Sequence, residues 1–340
     1  MTDPSPFQVS VVIPVYNAAE FVSEAVESAL IQPETAEVIL VEDNSTDNSL
    51  NICHTLADKF EKVRLYQHPN RINRGAGPSR NLGIQKSTCS FIAFLDADDF
   101  YLPGRFARTA EIFAADPGCD GVYEAVGIHF DDDAGRNRWL ASSMAGVELT
   151  TINRQVAPED LFRVLIKGGS GHIHLNGLII KRSILAKSGT MNEAIADTLH
   201  EDTDFILKLA AVGILIPGRI DKASSMRRVH ANNRVSATRP VDRVYKDQMR
   251  LRAATYRWCK MERHKIPQGL AFKRMLSDCE IEKPLRYGVL EKLPKSTKKA
   301  IRLLSLALTY PEVILEGVYW YEIGSSLWGI IKQDLLRSKG

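Results

Sequence analysis

The segment Asp96-Ala97-Asp98-Asp99 places three carboxylates on one short stretch, directly after the hydrophobic run Phe91 to Leu95. Carboxylate oxygens are hard ligands that hold Mg²⁺ or Mn²⁺, and a cation held there would in turn bind phosphate groups. An acidic turn after a strand also serves in many proteins only to cap the next helix. The segment therefore predicts a divalent-cation site, with helix capping as the alternative.

Two further polar clusters follow hydrophobic runs nearer the N-terminus. Pro14, Tyr16 and Asn17 stand at the end of the run that begins at Val9, and Asp43 follows the run 38–41. In an open parallel sheet, ligands bind outside the carboxyl ends of the strands, because adjacent connections diverge there. The three clusters should therefore converge at one edge of a sheet. Asp43 also begins a turn-rich segment that is well suited to capping a helix.

Apolar runs alternate with amphipathic segments over the first hundred residues, which is the pattern of β-α-β units. After that the order loosens, with a helix expected at 203–212 and a mostly helical, highly charged region at 240–300. The predicted fold class is α/β, with a mainly parallel sheet flanked by helices. Strands are expected at 9–15, 38–41, 63–66, 91–95 and 175–180, with a less regular one at 121–130.

Other nucleotide and metal motifs are absent from the sequence. Gly75-Ala76-Gly77 lacks the third glycine of a dinucleotide fingerprint, and no phosphate-binding G-x-x-x-x-G-K-[ST] occurs. His172 and His174 alternate along an expected strand and so share a face, which suits a metal site or ordinary pocket lining. The five cysteines are far apart without a C-x-x-C pair, which favours neither a zinc ribbon nor a disulfide framework and fits a reducing cytoplasm.

Seven segments, in this order along the chain, resemble the family-2, GT-A-fold glycosyltransferases that use nucleotide-sugar donors. The sequence departs from the family at Glu42 and Asn44, where the family more often has Asp and Gly. The resemblance covers roughly residues 8–236 and implies a GT-A fold. Its segments are Val11–Asn17, Val41–Asp47, Asn73–Asn81, Asp96–Asp99, Leu175–Arg182, Glu201–Asp202 and Arg228–Ser236.

The resemblance implies transfer of a sugar from a nucleoside diphosphate sugar to an acceptor hydroxyl, with UDP as the expected nucleotide and inversion at the anomeric carbon. It makes Asp202 the catalytic base, and it assigns Asp98, Asp96 and His230 to a Mn²⁺ or Mg²⁺ ion. The acceptor would be a carbohydrate or a lipid-linked molecule in polysaccharide, lipopolysaccharide or glycolipid assembly. The expected donor-binding residues are Pro14, Tyr16, Asn17, Asp43, Arg80, Asp96, Ala97 and Asp98.

Two other classes of protein remain open at this point. A nucleotidyltransferase would share the fold and the acidic turn, but it normally has a basic glycine-rich phosphate loop after the first strand. This chain has Pro14 to Asn17 there. A non-catalytic nucleotide-sugar-binding module would be expected to have lost some of the carboxylates, and all of them are present.

The net charge of +3 is unevenly distributed along the 340 residues. Residues 1–218 contain 18 Lys and Arg against 29 Asp and Glu, a net charge of −11, whereas residues 219–302 contain 23 against 8, a net charge of +15. We predict that 1–218 forms the GT-A nucleotide-sugar-binding and catalytic domain and that 219–302 is a basic, mostly helical extension beginning with the His230 loop. Residues 303–340 form an apolar, aromatic-rich C-terminal segment.

Basic blocks of this kind are typical of surfaces for nucleic acid, anionic lipid or phosphate groups, or they pack beside an acidic neighbour. Given the resemblance, no nucleic acid is expected. The aromatic residues of 303–340 favour a membrane interface, or they cover a core. No signal peptide is recognisable, and charges interrupt every apolar run before the length of a membrane span. We expect a cytoplasmic protein with peripheral contact at the inner face of the membrane.

Overall fold

The computed structural model describes residues 7–142, 145–230 and 240–281, together with single positions between 297 and 328. The chain forms two compact units, Met1–Pro240 and Val241–Gly340. The first unit extends past the boundary expected near Gly218, because the strand Ser225–Val229 pairs with Val126–Phe130 inside it. His230 therefore belongs to the first unit.

The first unit alternates strands and helices along its first half, as the sequence pattern predicts. Its strands are β1 (Val9–Val15), β2 (Thr35–Glu42), β3 (Val63–Gln67), β4 (Phe91–Phe94), β5 (Phe100–Tyr101), β6 (Gly121–Tyr123), β7 (Val126–Phe130), β8 (Leu149–Thr150), β9 (Leu178–Lys181), β10 (Leu215–Pro217) and β11 (Ser225–Val229). Its helices are α1 (Val22–Leu30), α2 (Ser49–Lys59), α3 (Ala76–Lys86), α4 (Ala107–Ala115), α5 (Asp133–Ala141), α6 (Pro158–Lys167), α7 (Leu185–Ser188) and α8 (Glu201–Val212).

A seven-stranded sheet in the order β10-β6-β9-β4-β1-β2-β3 forms the centre of this unit. All neighbouring strands in it are parallel except β9, which runs antiparallel to β4 and to β6. A second sheet has the order β5-β11-β7-β8. The predicted α/β class with a mostly parallel sheet is therefore confirmed.

The central strands are apolar along their length because helices cover both faces of the sheet. Val11, Val12 and Ile13 of β1 are all fully buried. Helix α1 packs Val22 and Val26 into the same core, which follows from apolar residues at helical spacing. This packing places the carboxyl ends of β1, β2 and β4 side by side at one edge of the sheet.

Three element boundaries differ from the sequence expectations. The expected strand 121–130 is two strands in different sheets, since the chain between them turns and Glu124 N donates to Gly177 O at 2.8 Å. Leu175–Gly177 is a 3₁₀ turn before β9 rather than the start of a strand. Helix α8 begins at Glu201 instead of Thr203, with His200 at its N-cap position.

The second unit contains helices α9 (Val241–Met261) and α10 (Lys265–Ile281), which agrees with the mostly helical expectation for 240–300 as far as residue 281. Tyr256 of α9 and Phe272 of α10 pack their rings together, with Leu303 in the same core. Of the aromatic residues expected near a membrane, Tyr310, Tyr319, Trp320 and Tyr321 lie outside the described residues, and Trp328 is 65% exposed. Within the described residues, no helix is both long enough and apolar enough to cross a bilayer.

Candidate active site

The acidic turn Asp96 to Asp99 lies directly beyond the carboxyl end of β4. The turn closes on itself, with Asp99 N donating to Asp96 O at 3.0 Å, and Leu95 N donates to Val12 O of β1 just before it. Asp99 is buried, whereas the side chains of Asp96 and Asp98 are 28% and 34% exposed. The turn therefore presents two of its three carboxylates toward solvent at the sheet edge where ligands bind.

Arg80 of α3 approaches Asp96, with Nη2 2.5 Å from Oδ1. Burial alone would raise the pKa of Asp96, but the charge and hydrogen bond of Arg80 outweigh it and lower that pKa. The pKa of Arg80 is raised in turn, because Asp96 and Glu201 outweigh the burial of the guanidinium. The structure thus places Arg80 in an ion pair inside the expected donor site.

His230 reaches the same turn from the end of β11. Its Nε2 lies 3.3 Å from Oδ2 of Asp98, and its ring packs against Phe21 with the centroids 4.6 Å apart. The two residues are 132 positions apart in sequence. The structure therefore brings together Asp98 and His230, which the resemblance assigned to one metal ion.

A second group, Asp96, Asp99 and His174, has one potential ligand atom from each residue within 4.8 Å of the others. The Asp99 oxygens already accept from Arg228 N at 2.7 Å and from Asn176 Nδ2 at 2.6 Å. Burial raises the pKa of Asp99 well above its ordinary value. Carboxylates on this turn, with histidine nitrogens beside them, are a donor set that fits Mn²⁺ or Mg²⁺.

His174 faces this group from the turn before β9. Burial lowers its pKa to about 4, so the ring is neutral at pH 7. Its Nδ1 accepts from Asn176 N at 3.3 Å, so the ring proton is on Nε2. His174 is therefore a neutral member of this group of potential ligands.

Asp43, at the end of β2, binds the glycine-rich segment before α3. Its Oδ1 accepts from Arg74 N and its Oδ2 from Gly75 N, both at 2.8 Å. Burial raises the pKa of this carboxyl, although the two N–H groups and His68 act in the opposite direction. Asp43 therefore holds the loop in place, and a contact with a nucleotide base would use the remaining lone pairs of its oxygens.

The residues at the end of β1 lie beside the segment that follows β2. Asn17 Oδ1 accepts from Thr46 N at 2.8 Å, and Asn17 N donates to Ser45 Oγ at 3.0 Å. Tyr16 is 49% exposed, which leaves its ring accessible to a ligand, while Pro14 is half-buried. These contacts join the donor-binding segments expected after β1 and after β2. Ala97, in the acidic turn after β4, is buried.

Asp202 lies in the first turn of α8, where its Oδ1 accepts from Thr203 N at 2.6 Å. Asp202 is not the N-cap of α8, because the helix begins at Glu201 and His200 occupies the N-cap position. Glu201 is buried, and Arg80 Nη1 lies 4.0 Å from its Oε1, whereas Asp202 is half-buried. Of this adjacent pair, Asp202 is the carboxylate more exposed to solvent.

Sequence reasoning missed three buried polar residues that hold the acidic turn. Asn176 and Arg228 form hydrogen bonds with the turn itself, at Asp96 and at Asp98 respectively. Arg105 acts through Asn176, whose carbonyl oxygen it binds. Asn176 and Arg228 fell within segments that resemble the family, but the sequence does not indicate which partners their side chains have. A buried arginine such as Arg105 is rare enough to signal a specific partner once its burial is known.

The mostly parallel central sheet flanked by helices, with an Asp-x-Asp turn beyond the carboxyl end of a central strand, is the architecture of the GT-A class of proteins. The family model described as Glycosyl transferase family 2 matches residues 10–185, and the chain belongs to that family.

Curated relatives match different lengths of the chain. It is 38% identical over 108 residues to the succinoglycan biosynthesis protein ExoU of Rhizobium meliloti, covering 32% of this chain and 31% of that protein. It is 29% identical over 233 residues to an uncharacterized glycosyltransferase of Rickettsia felis, covering 66% of this chain and 36% of that protein. The chain thus spans about a third of the length of these relatives.

Solved structures confirm the fold. TarS residues 1–349 from S. aureus, in complex with UDP-GlcNAc, has a TM-score of 0.60 at 17% identity, covering 90% of this chain and 82% of that one. The mannosyltransferase PcManGT from Pyrobaculum calidifontis, in complex with GDP-Man and Mn²⁺, has a TM-score of 0.50 at 17% identity, covering 96% and 87%. At this identity, the likeness shows the GT-A fold alone.

Proposed function

We propose that the protein transfers a sugar from a nucleoside diphosphate sugar to an acceptor hydroxyl, with inversion at the anomeric carbon. The observation that carries this proposal is the convergence at one sheet edge of the Asp96–Asp99 turn, His230 and the Glu201–Asp202 helix start, in a chain that belongs to family 2. In a single displacement, the acceptor oxygen attacks as the nucleoside diphosphate departs. The two groups must lie on opposite sides of the sugar.

Asp202 is the general base in this proposal, because it is the accessible carboxylate of the pair with Glu201. An acceptor hydroxyl has a pKa far above neutral, so it attacks well only when a carboxylate within hydrogen-bonding distance takes its proton. Arg80 orients this region by pairing with Asp96 on one side and lying beside Glu201 on the other. Burial of Glu201 against the α3 segment leaves Asp202 to face the acceptor.

Asp98 and His230, together with Asp96, would hold the divalent cation, and Mn²⁺ or Mg²⁺ both suit these donors. The bound ion supplies charge neutralisation for the departing diphosphate. Pro14 and the exposed ring of Tyr16 would form the wall of the nucleotide pocket, with Asn17 and Asp43 ordering the loops around it. UDP is the proposed nucleotide, supported by the TarS complexes with UDP and UDP-GlcNAc.

The proposed acceptor is a carbohydrate or lipid-linked molecule of cell-envelope polysaccharide assembly, which agrees with the name of the Rhizobium relative. We place the protein in the cytoplasm, with residues 219–340 near the inner face of the membrane, because the net charge of 219–302 is +15. Flotation with anionic liposomes at low salt tests this placement. Protein that stays unbound there would refute it.

A panel of nucleotide sugars with Mn²⁺ tests the reaction class. Slow release of free nucleoside diphosphate, lost in excess EDTA and in Asp98→Ala, supports sugar transfer. Release of pyrophosphate would instead indicate a nucleotidyltransferase, and tight donor binding without any turnover would indicate a binding module. Thermal shift with each donor identifies the sugar, because a ligand that binds only the folded state raises its stability.

A further inference from the structure

Asn176 is fully buried and contacts the acidic turn at two points. Its Oδ1 accepts from Asp96 N at 3.1 Å, and its Nδ2 donates to Asp99 Oδ2 at 2.6 Å. The orientation of the amide is fixed, since a backbone N–H can only donate and must face the amide oxygen. One side chain therefore ties together the first and last carboxylate-bearing residues of the turn.

Arg105 binds the backbone carbonyl of Asn176. Nε and Nη2 of this arginine donate to Asn176 O at 3.1 and 2.9 Å, and Nη1 donates to Glu124 Oε2 at 2.9 Å. Arg105 and Glu124 are both buried, so their charges are paired where water does not screen them. Displacing Asn176 would disturb this buried pair, which makes its position rigid.

Arg228 of β11 forms two further hydrogen bonds with the acidic turn. Its backbone N–H donates to Asp99 Oδ1 at 2.7 Å and its Nε donates to Asp98 O at 2.9 Å. Asp99 thus accepts from Asn176 with one oxygen and from Arg228 with the other. Asp98 lies between Asp96 and Asp99 in the sequence. The hydrogen bonds that hold these two residues therefore also position the carboxylate of Asp98.

We propose that Asn176 and Asp99 form an amide–carboxylate pair that sets the position of Asp98 for metal binding, with Asn176 as a positioning residue and Asp99 as its partner rather than as a metal ligand. This inference rests on the proposed function for the identity of the ion. It adds that the metal affinity of the site depends on a buried amide that has no contact with the ion. Groups of this kind alter metal affinity by about 10- to 100-fold when they are changed.

Exchanging the two side chains tests the pair. Asn176→Asp alone sets two carboxylates against each other. Asp99→Asn alone sets two amide NH2 groups against each other, because the oxygens at 99 and 176 must accept from Arg228 N and Asp96 N. Combined, the two changes restore every hydrogen bond, because the new amide at 99 donates to the new carboxylate at 176 and both retain an oxygen for Arg228 N and Asp96 N. Measurements at pH 8 limit sharing of a proton between two carboxylates.

The readout is binding of Mn²⁺, alone and with UDP, followed by electron paramagnetic resonance of the free ion. We expect each single variant to bind Mn²⁺ about 10-fold or more weakly, and the double variant to return to within about 2-fold of the unaltered protein. The control is Glu37→Gln at the opposite end of the sheet, which removes a buried charge without contacting the turn and should leave the affinity unchanged.

Unchanged Mn²⁺ affinity in folded Asn176→Asp, or a folded double variant that binds no better than the single variants, would overturn the proposal. If a single variant does not fold, recovery of a folded, Mn²⁺-binding protein by the second change still supports it, and failure to recover contradicts it. Absence of Mn²⁺ binding in the unaltered protein also overturns it. Failure of the sugar-transfer proposal would appear separately, as Mn²⁺ binding and rescue without turnover of any donor.

Discussion

The guanidinium of Arg80 donates to the carboxylate of Asp96 over 2.5 Å, which joins the glycine-rich segment of α3 to the acidic turn. Arg80 is buried, and its second terminal nitrogen lies 4.0 Å from Glu201. The same side chain thus links the expected metal-binding turn with the start of the helix that carries Asp202. A basic residue inside the expected donor site therefore has two carboxylates of this chain as its partners.

We expect Arg80→Met to destabilise the protein, because it leaves the Asp96 charge without its partner. Breaking a buried pair costs about 3–5 kcal/mol, and we expect the lower end of this range because Asp96 is partly exposed. The free energy of unfolding in urea measures the effect. Arg108→Met is the control, since its pair with Glu111 is exposed and should cost about 1 kcal/mol or less. Equal losses of unfolding free energy in the two variants would contradict a buried ion pair between Arg80 and Asp96.

Asp202→Asn should lower kcat by about 10²- to 10⁴-fold with donor binding retained, because the amide cannot accept the acceptor proton. Steady-state kinetics and donor titration measure the two quantities separately. The new side chain keeps an oxygen that can accept from Thr203 N, so a purely structural role predicts nearly normal turnover. Glu201→Gln is the matched comparison. Normal turnover in Asp202→Asn together with loss in Glu201→Gln would move the base to Glu201.

Two mid-helix glycines should respond oppositely to the same change. A Cβ at Gly83 would lie 2.3 Å from Val12 Cγ1 in the core, so Gly83→Ala should destabilise the first unit by about 1–3 kcal/mol. A Cβ at Gly269 of α10 would have no neighbour within 4 Å, so Gly269→Ala should stabilise the second unit by about 1 kcal/mol through helix propensity. Scanning calorimetry of the two variants measures both shifts. A stabilising Gly83→Ala would show that β1 and α3 are less tightly packed than described.

The stability of the first unit should depend on pH through Glu37. Burial alone would raise its pKa, but hydrogen bonds from Ser10 and Thr88 and the charge of Arg64 together lower it below the ordinary value of 4.5. A carboxyl with a lowered pKa in the folded state stabilises that state above its unfolded pKa, and this contribution is lost as pH falls through the folded pKa. The stabilisation is therefore complete near neutral pH and declines below about pH 4.5.

Glu37→Gln should accordingly cost about 1 kcal/mol at pH 7, and the difference from the unaltered protein should shrink toward pH 3. Urea unfolding of both proteins across this range isolates the contribution of one carboxyl, because the remaining groups titrate in both. A difference that is constant with pH would mean that the charge of Glu37 contributes no stability.

The local sequence determined the α/β class, the strand and helix order of the first hundred residues and the location of the acidic turn. Buried parallel strands are continuous apolar runs, so Val9–Val15 is recognisable without tertiary information. The carboxyl ends of such strands share one edge, and this geometric rule was sufficient to predict that Asp43 and Asp96 follow strands that end at the same edge of the sheet. The family resemblance added Asp202 and His230, which lie farther along the chain, to the predicted site.

Only the tertiary structure decided which atoms contact each other within this edge. His230 reaches Asp98 and Arg105 reaches Asn176 across 132 and 71 positions, and contacts of that separation leave no periodicity in the sequence. The difference in burial between Glu201 and Asp202 likewise depends on where α8 begins and which side chain α3 covers. Helices and strands can be predicted from the sequence because their propensity depends on neighbouring residues. The partner of a buried polar group, in contrast, depends on packing between distant segments of the chain.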